Sequence, residues 1–257
     1  MFANERRNKI LELLNRRSSV TVAELTALFQ VSLETIRRDL EYLEQQGALK
    51  RVHGGALSMN RMQNYTGLSV RSTEHQTEKR QIARAALSHI HEGERIALDA
   101  GSTTNELAHL LCDSFQELTI VTASLPIFEI LSEKPGFQVI LTGGFYLPGE
   151  KAFYGHLALD TIRQLHVSVF FHAPSALSLS FGLSEHIREL AEIQRALIAS
   201  ADRVIVLADS SKFETCAALK VCDLSRRFLY LTDSGLSEEI RTAWQKASFD
   251  ISSPPGP

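Results

Sequence analysis

The stretch TVAELTALFQVSLETIRRDLEYLEQQGALKRVHGGA, residues 21–56, decides how the start of the chain folds. Thr21-Val22-Ala23-Glu24 has the form of a capping box, in which the Thr21 hydroxyl and the Glu24 carboxylate satisfy each other's backbone donors. It opens a short helix with Leu25, Leu28 and Phe29 inward, ending near Gln30. Ser32 can cap a third helix running through Gln46. On that helix Leu33, Ile36, Leu40 and Leu43 fall within about 80° of one another at 100° per residue, which predicts a core stripe. Glu34, Arg37, Arg38 and Glu41 lie opposite the stripe and Thr35 to one side, so the outward face begins with short polar and basic groups that suit a major groove. Gly47 fits a left-handed helix end. The apolar and basic alternation Leu49-Lys50-Arg51-Val52, followed by His53 and paired glycines, predicts a small hairpin whose tip approaches a phosphate backbone. Together these make a winged helix-turn-helix. The alternative is a three-helix interaction module with a solvated charged face.

Upstream, Ile10, Leu11, Leu13 and Leu14 recur at helical spacing from Arg6 to about Arg16, and Ser18 and Ser19 break the pattern. The charge distribution agrees with a DNA-facing N-terminus. The whole chain of 257 residues carries a formal charge of -3, but residues 1–64 hold 10 basic and 7 acidic side chains, leaving 17 and 23 for the remainder. The N-terminal part is thus net basic and the rest net acidic.

The segments RRNKILELL and VAELTALFQVSLETIRRDLEYLEQQGALKRVHGGA resemble the DeoR family of bacterial transcription regulators, and with later motifs the resemblance covers nearly the whole chain. The family's recognition helix carries S-x-x-T-I-R-R-D-L, matched here by Ser32, Thr35, Ile36, Arg37, Arg38, Asp39 and Leu40. The resemblance implies base-edge or phosphate contact by Thr35, Arg37 and Arg38, with Ser32 at the helix end and Lys50, Arg51 and His53 from the wing. Arginine is the side chain best matched to guanine by a bidentate contact. Asp39 would be repelled by DNA and is expected to hold an arginine in place.

Residues 1–57 are therefore expected to form the DNA-binding domain and 58–78, polar and without apolar periodicity, a linker. A sensor and oligomerisation domain is expected over 79–250 and a disordered tail over 251–257. Ile82, Ala83, Ala86, Leu87 and Ile90 restart a helix after Lys79. The segment with Arg71, Glu74 and Lys79 resembles the start of the family's sensor domain. It reads either as a relay of effector binding or as an ordinary solvated helix end.

Short apolar runs then alternate with helical stretches: Arg95–Asp99, Leu118–Thr122, Gln138–Thr142, Val167–Phe171, Arg203–Asp209 and Phe228–Asp233. Strand and helix in turn predict an α/β domain with a mostly parallel sheet covered on both faces. Ligands of such sheets bind beyond the carboxyl ends of the strands. One end carries Asp99, Gly101, Ser102, Thr103 and Thr104, hydroxyls and free helix amides that can cradle an anion or simply cap a helix. Other ends carry Thr122-Ala123-Ser124, Thr142-Gly143-Gly144 and Asp209-Ser210-Ser211-Lys212. Lys212 supplies positive charge, which points to a phosphorylated ligand.

These strings resemble the DeoR sensor domain, whose fold is similar to ribose-5-phosphate isomerases. The resemblance implies a phosphorylated sugar or catabolic intermediate as effector. Asp99, Gly101, Ser102, Thr103 and Thr104 would line the phosphate loop, Ser124, Gly143 and Gly144 the neighbouring walls, and Lys212 the far side. Asp99 and Asp209 could instead bond ligand hydroxyls or orient the lysine. Four departures imply an effector unlike the family's usual one, or weak sensing. Phe145-Tyr146 stand where a basic residue is usual, and His172-Ala173-Pro174-Ser175 replaces a glycine-rich strand end. Leu190 and Gln194 replace a glutamate and a lysine.

The functional expectation is a DNA-binding regulator, by family default a repressor of a carbohydrate catabolic operon released by its effector. It should act as a dimer or tetramer, because one winged helix reads too few base pairs. The alternatives are a ligand-independent regulator with a degraded pocket and a sugar-phosphate isomerase-like enzyme. The latter lacks a specific carboxylate and lysine constellation. No cofactor is expected. The three cysteines and scattered histidines show no metal spacing, and no apolar run matches a signal peptide or membrane helix. The cytoplasm is the expected compartment.

Overall fold

The computed structural model describes residues 2–17, 19–52, 54–58 and 65–253; His53 and the tail residues 254–257 lie outside the described residues. The N-terminal module is built from α1 (Ala3–Arg17), β1 (Ser19–Thr21), α2 (Val22–Phe29), α3 (Leu33–Gln45), β2 (Leu49–Val52) and β3 (Gly55–Ser58). The capping box forms as the sequence predicts: Glu24 N donates to Thr21 Oγ1 at 3.1 Å and Thr21 N donates to Glu24 Oε2 at 2.9 Å. Gln30 ends α2 in the left-handed region, and Ser32 Oγ caps α3 by accepting from Thr35 N at 3.2 Å. Gly47 follows α3 with φ +69°.

The module's core is Ile10, Leu14, Leu25, Ile36, Leu40, Leu43 and Leu49. Burying each such side chain contributes about 1.5–3 kcal/mol. Two positions of α3 depart from the predicted stripe. Leu33, in the first turn of the helix, is 46% exposed, and Asp39 is only 2% exposed. Ser19–Thr21 is also more than a helix break. It pairs antiparallel with β3, so the wing is a three-stranded sheet in the order β1-β3-β2.

The second region contains α4 (Leu68–Arg71), α5 (Gln76–Leu87), β4 (Arg95–Leu98), α6 (Ser102–Ser114), β5 (Leu118–Thr122), α7 (Leu125–Ser132) and β6 (Phe137–Leu141). It continues through β7 (Phe145–Leu147), β8 (Ala152–Tyr154), α8 (His156–Arg163), β9 (Val167–His172), β10 (Ala176–Ser178), β11 (Gly182–Glu185) and α9 (Arg188–Ala199). The remaining elements are β12 (Ala201–Leu207), β13 (Leu219–Cys222), β14 (Leu229–Leu231), α10 (Glu238–Lys246) and β15 (Ile251–Ser252).

Seven strands form one parallel sheet in the order β15-β14-β12-β9-β4-β5-β6. Ile82 of α5, Leu107 and Leu111 of α6 and Ile127 of α7 pack on one face. Ile162 of α8, Leu197 of α9 and Trp244 of α10 pack on the other, around Phe170 and Tyr230. All six strands read from the sequence are present. The hairpin β7–β8 and the small sheet β10-β11-β13 rise beyond them.

Two expected boundaries need correction. Ile251 and Ser252 are not tail, since they pair with Tyr230 and Leu231 as the edge strand β15. Nor is the segment from Tyr65 a free linker: Leu68 is buried, its N–H donates to Gly149 O at 3.2 Å, and Arg71 binds Glu150.

Candidate nucleic-acid interface and effector cleft

In the N-terminal module, Ser32, Arg37, Arg38, Lys50 and Arg51 are exposed and Thr35 is half-buried. The Ser32 and Thr35 hydroxyls lie 2.8 Å apart. A groove of about 560 Å³ between α3 and the wing is lined by Leu33, Arg37, Arg51 and Gly54, among others. Arg37 and Arg51 thus meet in one concave basic surface. Arg38 lies outside that groove's lining, 3.3 Å from Glu34 on the open face of the helix. Asp39 holds arginines, as its chemistry required, but they come from α1: Arg6 Nε at 2.5 Å and Arg7 Nε at 2.8 Å. Arg7 also stacks 3.8 Å over the Tyr42 ring. This buried network fixes α3 against α1 and leaves Arg37 and Arg38 free of Asp39. Such a surface can set one helix in a major groove while the wing meets phosphate.

At the carboxyl ends of the sheet, a cleft of about 210 Å³ is lined by Thr66, Arg71, Glu74, His75, Lys79, Ser102, Asp209, Ser211 and Lys212. Ser102 is the first residue of α6, so free helix amides and the positive end of the helix dipole accompany the three cations. Lys212 Nζ donates to Pro174 O at 2.8 Å. Burial pushes the Lys212 pKa down against the opposing pull of Asp209. Burial also opposes the charge of Asp209, but Lys212 and the hydrogen bond from Ser211 outweigh it and hold that carboxyl below the usual range. Lys79 is buried and donates to Glu74 O at 2.6 Å and to Arg71 O. Burial and the neighbouring Lys212 lower its pKa to about 8. Two lysines held close together at the cost of their own charge, beside Arg71, form a site suited to an anion.

Of the sequence-derived effector residues, Ser102 and Lys212 meet in this cleft. Thr104 Oγ1 instead donates to Asp99 O at 2.7 Å and Gly101 O at 2.9 Å, locking the loop, and the Thr103 side chain is buried. Ser124 is buried as the cap of α7. Gly144 has φ +105° and a Cβ there would lie 2.4 Å from Tyr154 O, so this glycine serves the approach of the β7–β8 hairpin. Neither it nor Gly143 lines the cleft.

Asp99 is buried behind the loop and fully engaged. Oδ1 accepts from Ala100 N, while Oδ2 faces His172 Nδ1 at 2.7 Å, Ala173 N at 3.1 Å and Gln194 Nε2 at 3.1 Å. Asp99 therefore shapes the loop and does not project into the cleft. Leu190 packs in an apolar cluster with Ala100 and Ala152.

Arg71 and Lys79 are cleft residues that the strand-end reasoning passed over. A signal existed: Lys79 stands at i with Ile82, Ala83 and Ala86 at i+3, i+4 and i+7, a lysine on the buried stripe of α5. It is not a solvated helix end. Among the described residues no cluster of His, Cys, Asp and Glu is arranged to hold a metal, and no helix is long and apolar enough to cross a membrane.

Residues 6–62 match the DeoR-like helix-turn-helix domain family and residues 74–234 the DeoR C terminal sensor domain family. The chain is 35% identical over 255 residues to the uncharacterized HTH-type transcriptional regulator YulB of Bacillus subtilis, covering 99% of this chain and 98% of that protein. It is 34% identical over 234 residues to the lactose phosphotransferase system repressor of Staphylococcus epidermidis, covering 90% and 92% respectively. The solved ribose 5-phosphate isomerase A of Neisseria gonorrhoeae overlaps 53% of each chain at 17% identity, with a TM-score of 0.40. Family and full-length relatives agree on a DNA-binding regulator of transcription and not an enzyme, and the chain belongs to the DeoR family.

Proposed function

We propose that this protein represses a carbohydrate catabolic operon in the cytoplasm and releases its operator when a phosphorylated sugar or related intermediate fills the cleft. The observation that carries the effector half is the convergence of Arg71, Lys79 and Lys212 on the amino end of α6 in a space of about 210 Å³. Phosphate is the ligand chemistry that three cations and free helix amides favour together. In this reading Lys212 and Arg71 pair with the phosphate, Lys79 adds long-range charge, and Ser102 donates from its hydroxyl and amide.

For the DNA half, Arg37 and Arg38 read base edges, Thr35 and Ser32 set the helix end, and Lys50 and Arg51 bind phosphate from the wing. Two copies at least are needed, as a dimer or tetramer, so that paired half-sites supply genomic selectivity. Residues 2–58 act as the DNA module and 65–253 as the sensor.

The test is selection of duplexes from a randomised library by the full chain, followed by titration of the selected complex with phosphorylated sugars. Enrichment of a two-fold symmetric sequence, released by one such compound and not by its unphosphorylated form, is the expected result. Binding without sequence preference, or a selected complex indifferent to every compound, would refute the reading.

A further inference from the structure

One wall of the cleft belongs to the segment through which the chain leaves the DNA module. Only residues 59–64 separate β3 from Tyr65. Thr66, Arg71, Glu74, His75 and Lys79 come from that segment and its continuation into α5, whereas Ser102, Asp209, Ser211 and Lys212 come from the ends of the sheet strands.

A single buried carboxylate pins this segment down. Glu150, in the turn between β7 and β8, is 1% exposed. Its Oε2 accepts from Arg71 Nη2 at 2.6 Å, and its Oε1 accepts from Arg71 Nη1 at 3.1 Å and from the Tyr65 hydroxyl at 2.8 Å. Arg71 Nη1 also donates to Thr66 O at 2.5 Å, closing the segment on itself. The adjacent Gly149 carbonyl accepts from Leu68 N, and the Tyr65 ring meets His186 edge-on at 6.0 Å. Burial would weaken the Arg71 charge, but Glu150 more than restores it and raises the pKa of Arg71. Burial and Glu150 together push the Tyr65 hydroxyl up to about 12. Arg71 and Tyr65 therefore keep their protons throughout the neutral range.

We propose that Glu150 is a positioning residue that holds Arg71 at the cleft, so that an anion bound there locks the interdomain segment 65–71 onto the sensor domain. This rests on the effector cleft described above. Glu150 does not line the cleft; it acts through Arg71. When the segment is undocked, the cleft loses the wall that carries Arg71, so an anion binds the docked form more tightly and shifts the population toward it. By the same linkage, the apparent affinity for the anion is the intrinsic affinity multiplied by the docked fraction. Effector occupancy is thus read by the stretch of chain that continues into the wing.

Hydrogen exchange of the full chain, with inorganic phosphate as the probe, tests this. In the wild type, phosphate should slow exchange of the amides of Leu68–Ser72. Glu150→Gln should speed their exchange about tenfold without phosphate and weaken phosphate binding in proportion to the docked fraction it loses. Tyr65→Phe, which deletes one hydroxyl, should shift both in the same direction by less and guards against a Glu150→Gln protein that folds poorly. Lys212→Ala should remove the phosphate effect while leaving the segment docked. If phosphate binds the wild type but leaves Leu68–Ser72 unaffected, or if Glu150→Gln and Tyr65→Phe alter neither exchange nor affinity, the proposal falls and the cleft stands. If phosphate does not bind the wild type at all, the cleft reading and this proposal fall together.

Discussion

Gln194 Nε2 lies 3.1 Å from Asp99 Oδ2 and bridges that carboxylate to Glu185 Oε2, 3.2 Å away on the other side. A neutral amide thus joins two buried carboxylates, with His172 supplying the other side-chain contact to Asp99. Leu190, one turn earlier on α9, does not take part. The two positions on α9 have separate roles: Leu190 serves apolar packing, and Gln194 serves the polar network behind the loop Asp99–Thr104.

Gln194→Leu should destabilise the protein by about 1–3 kcal/mol, because it removes the donor from two buried acceptors at once. Urea unfolding of the full chain measures it. A loss no greater than that of an exposed-site control would show that the bridge adds nothing.

Asp39→Ala should cost about 3–5 kcal/mol, since it removes the buried carboxylate that pairs with both Arg6 and Arg7. Leu33→Ala, at a half-exposed site that the helical wheel assigns to the core, should cost well under the roughly 2–5 kcal/mol of a buried leucine. Thermal unfolding of both variants checks the contrast. Equal losses would contradict the placement of the two side chains.

How much of this was legible in the sequence depended on the range of the interactions involved. The capping box at Thr21 and Glu24 and the cap at Ser32 are local, and they form as read. The six strands announced themselves as apolar runs. The strand Ser19–Thr21 did not, because its partners Gly55–Leu57 lie far along the chain and three residues carry no pattern. Ile251 and Ser252 were hidden for the same reason. Ser102 and Lys212, which line the cleft, stand at strand ends that the sequence marks. Ser124 and Gly144 share that chemistry but are used to cap and to pack, a difference set by tertiary contacts alone.

Arg38→Ala should weaken operator binding by about 1–3 kcal/mol and relax base preference at one position. Lys50→Ala should weaken all sequences alike and reduce the salt slope by about 1. Fluorescence titrations against the selected duplex and single-base variants, at several salt concentrations, separate the two. A sequence-selective loss in Lys50→Ala would overturn its assignment to phosphate.

Anion affinity should fall as pH rises through 8. Lys79 has its pKa lowered to about 8, so it is charged below that pH and neutral above it. A bound phosphate favours the charged form, so binding takes up a proton as pH rises and weakens by at most about tenfold between pH 7 and pH 9. Lys79→Gln should flatten that part of the profile. An unchanged slope in the variant would exclude Lys79 as its source.

The most direct test of the effector cleft is thermal unfolding of the full chain against a panel of phosphorylated sugars, with Lys212→Ala in parallel. A ligand of the native state stabilises by mass action, by about 2.7 kcal/mol at 100 times its dissociation constant. The account predicts a rise in Tm with at least one phosphorylated compound, absent with its unphosphorylated form and abolished by Lys212→Ala. A rise that Lys212→Ala leaves intact, or no rise with any phosphorylated sugar, would contradict it.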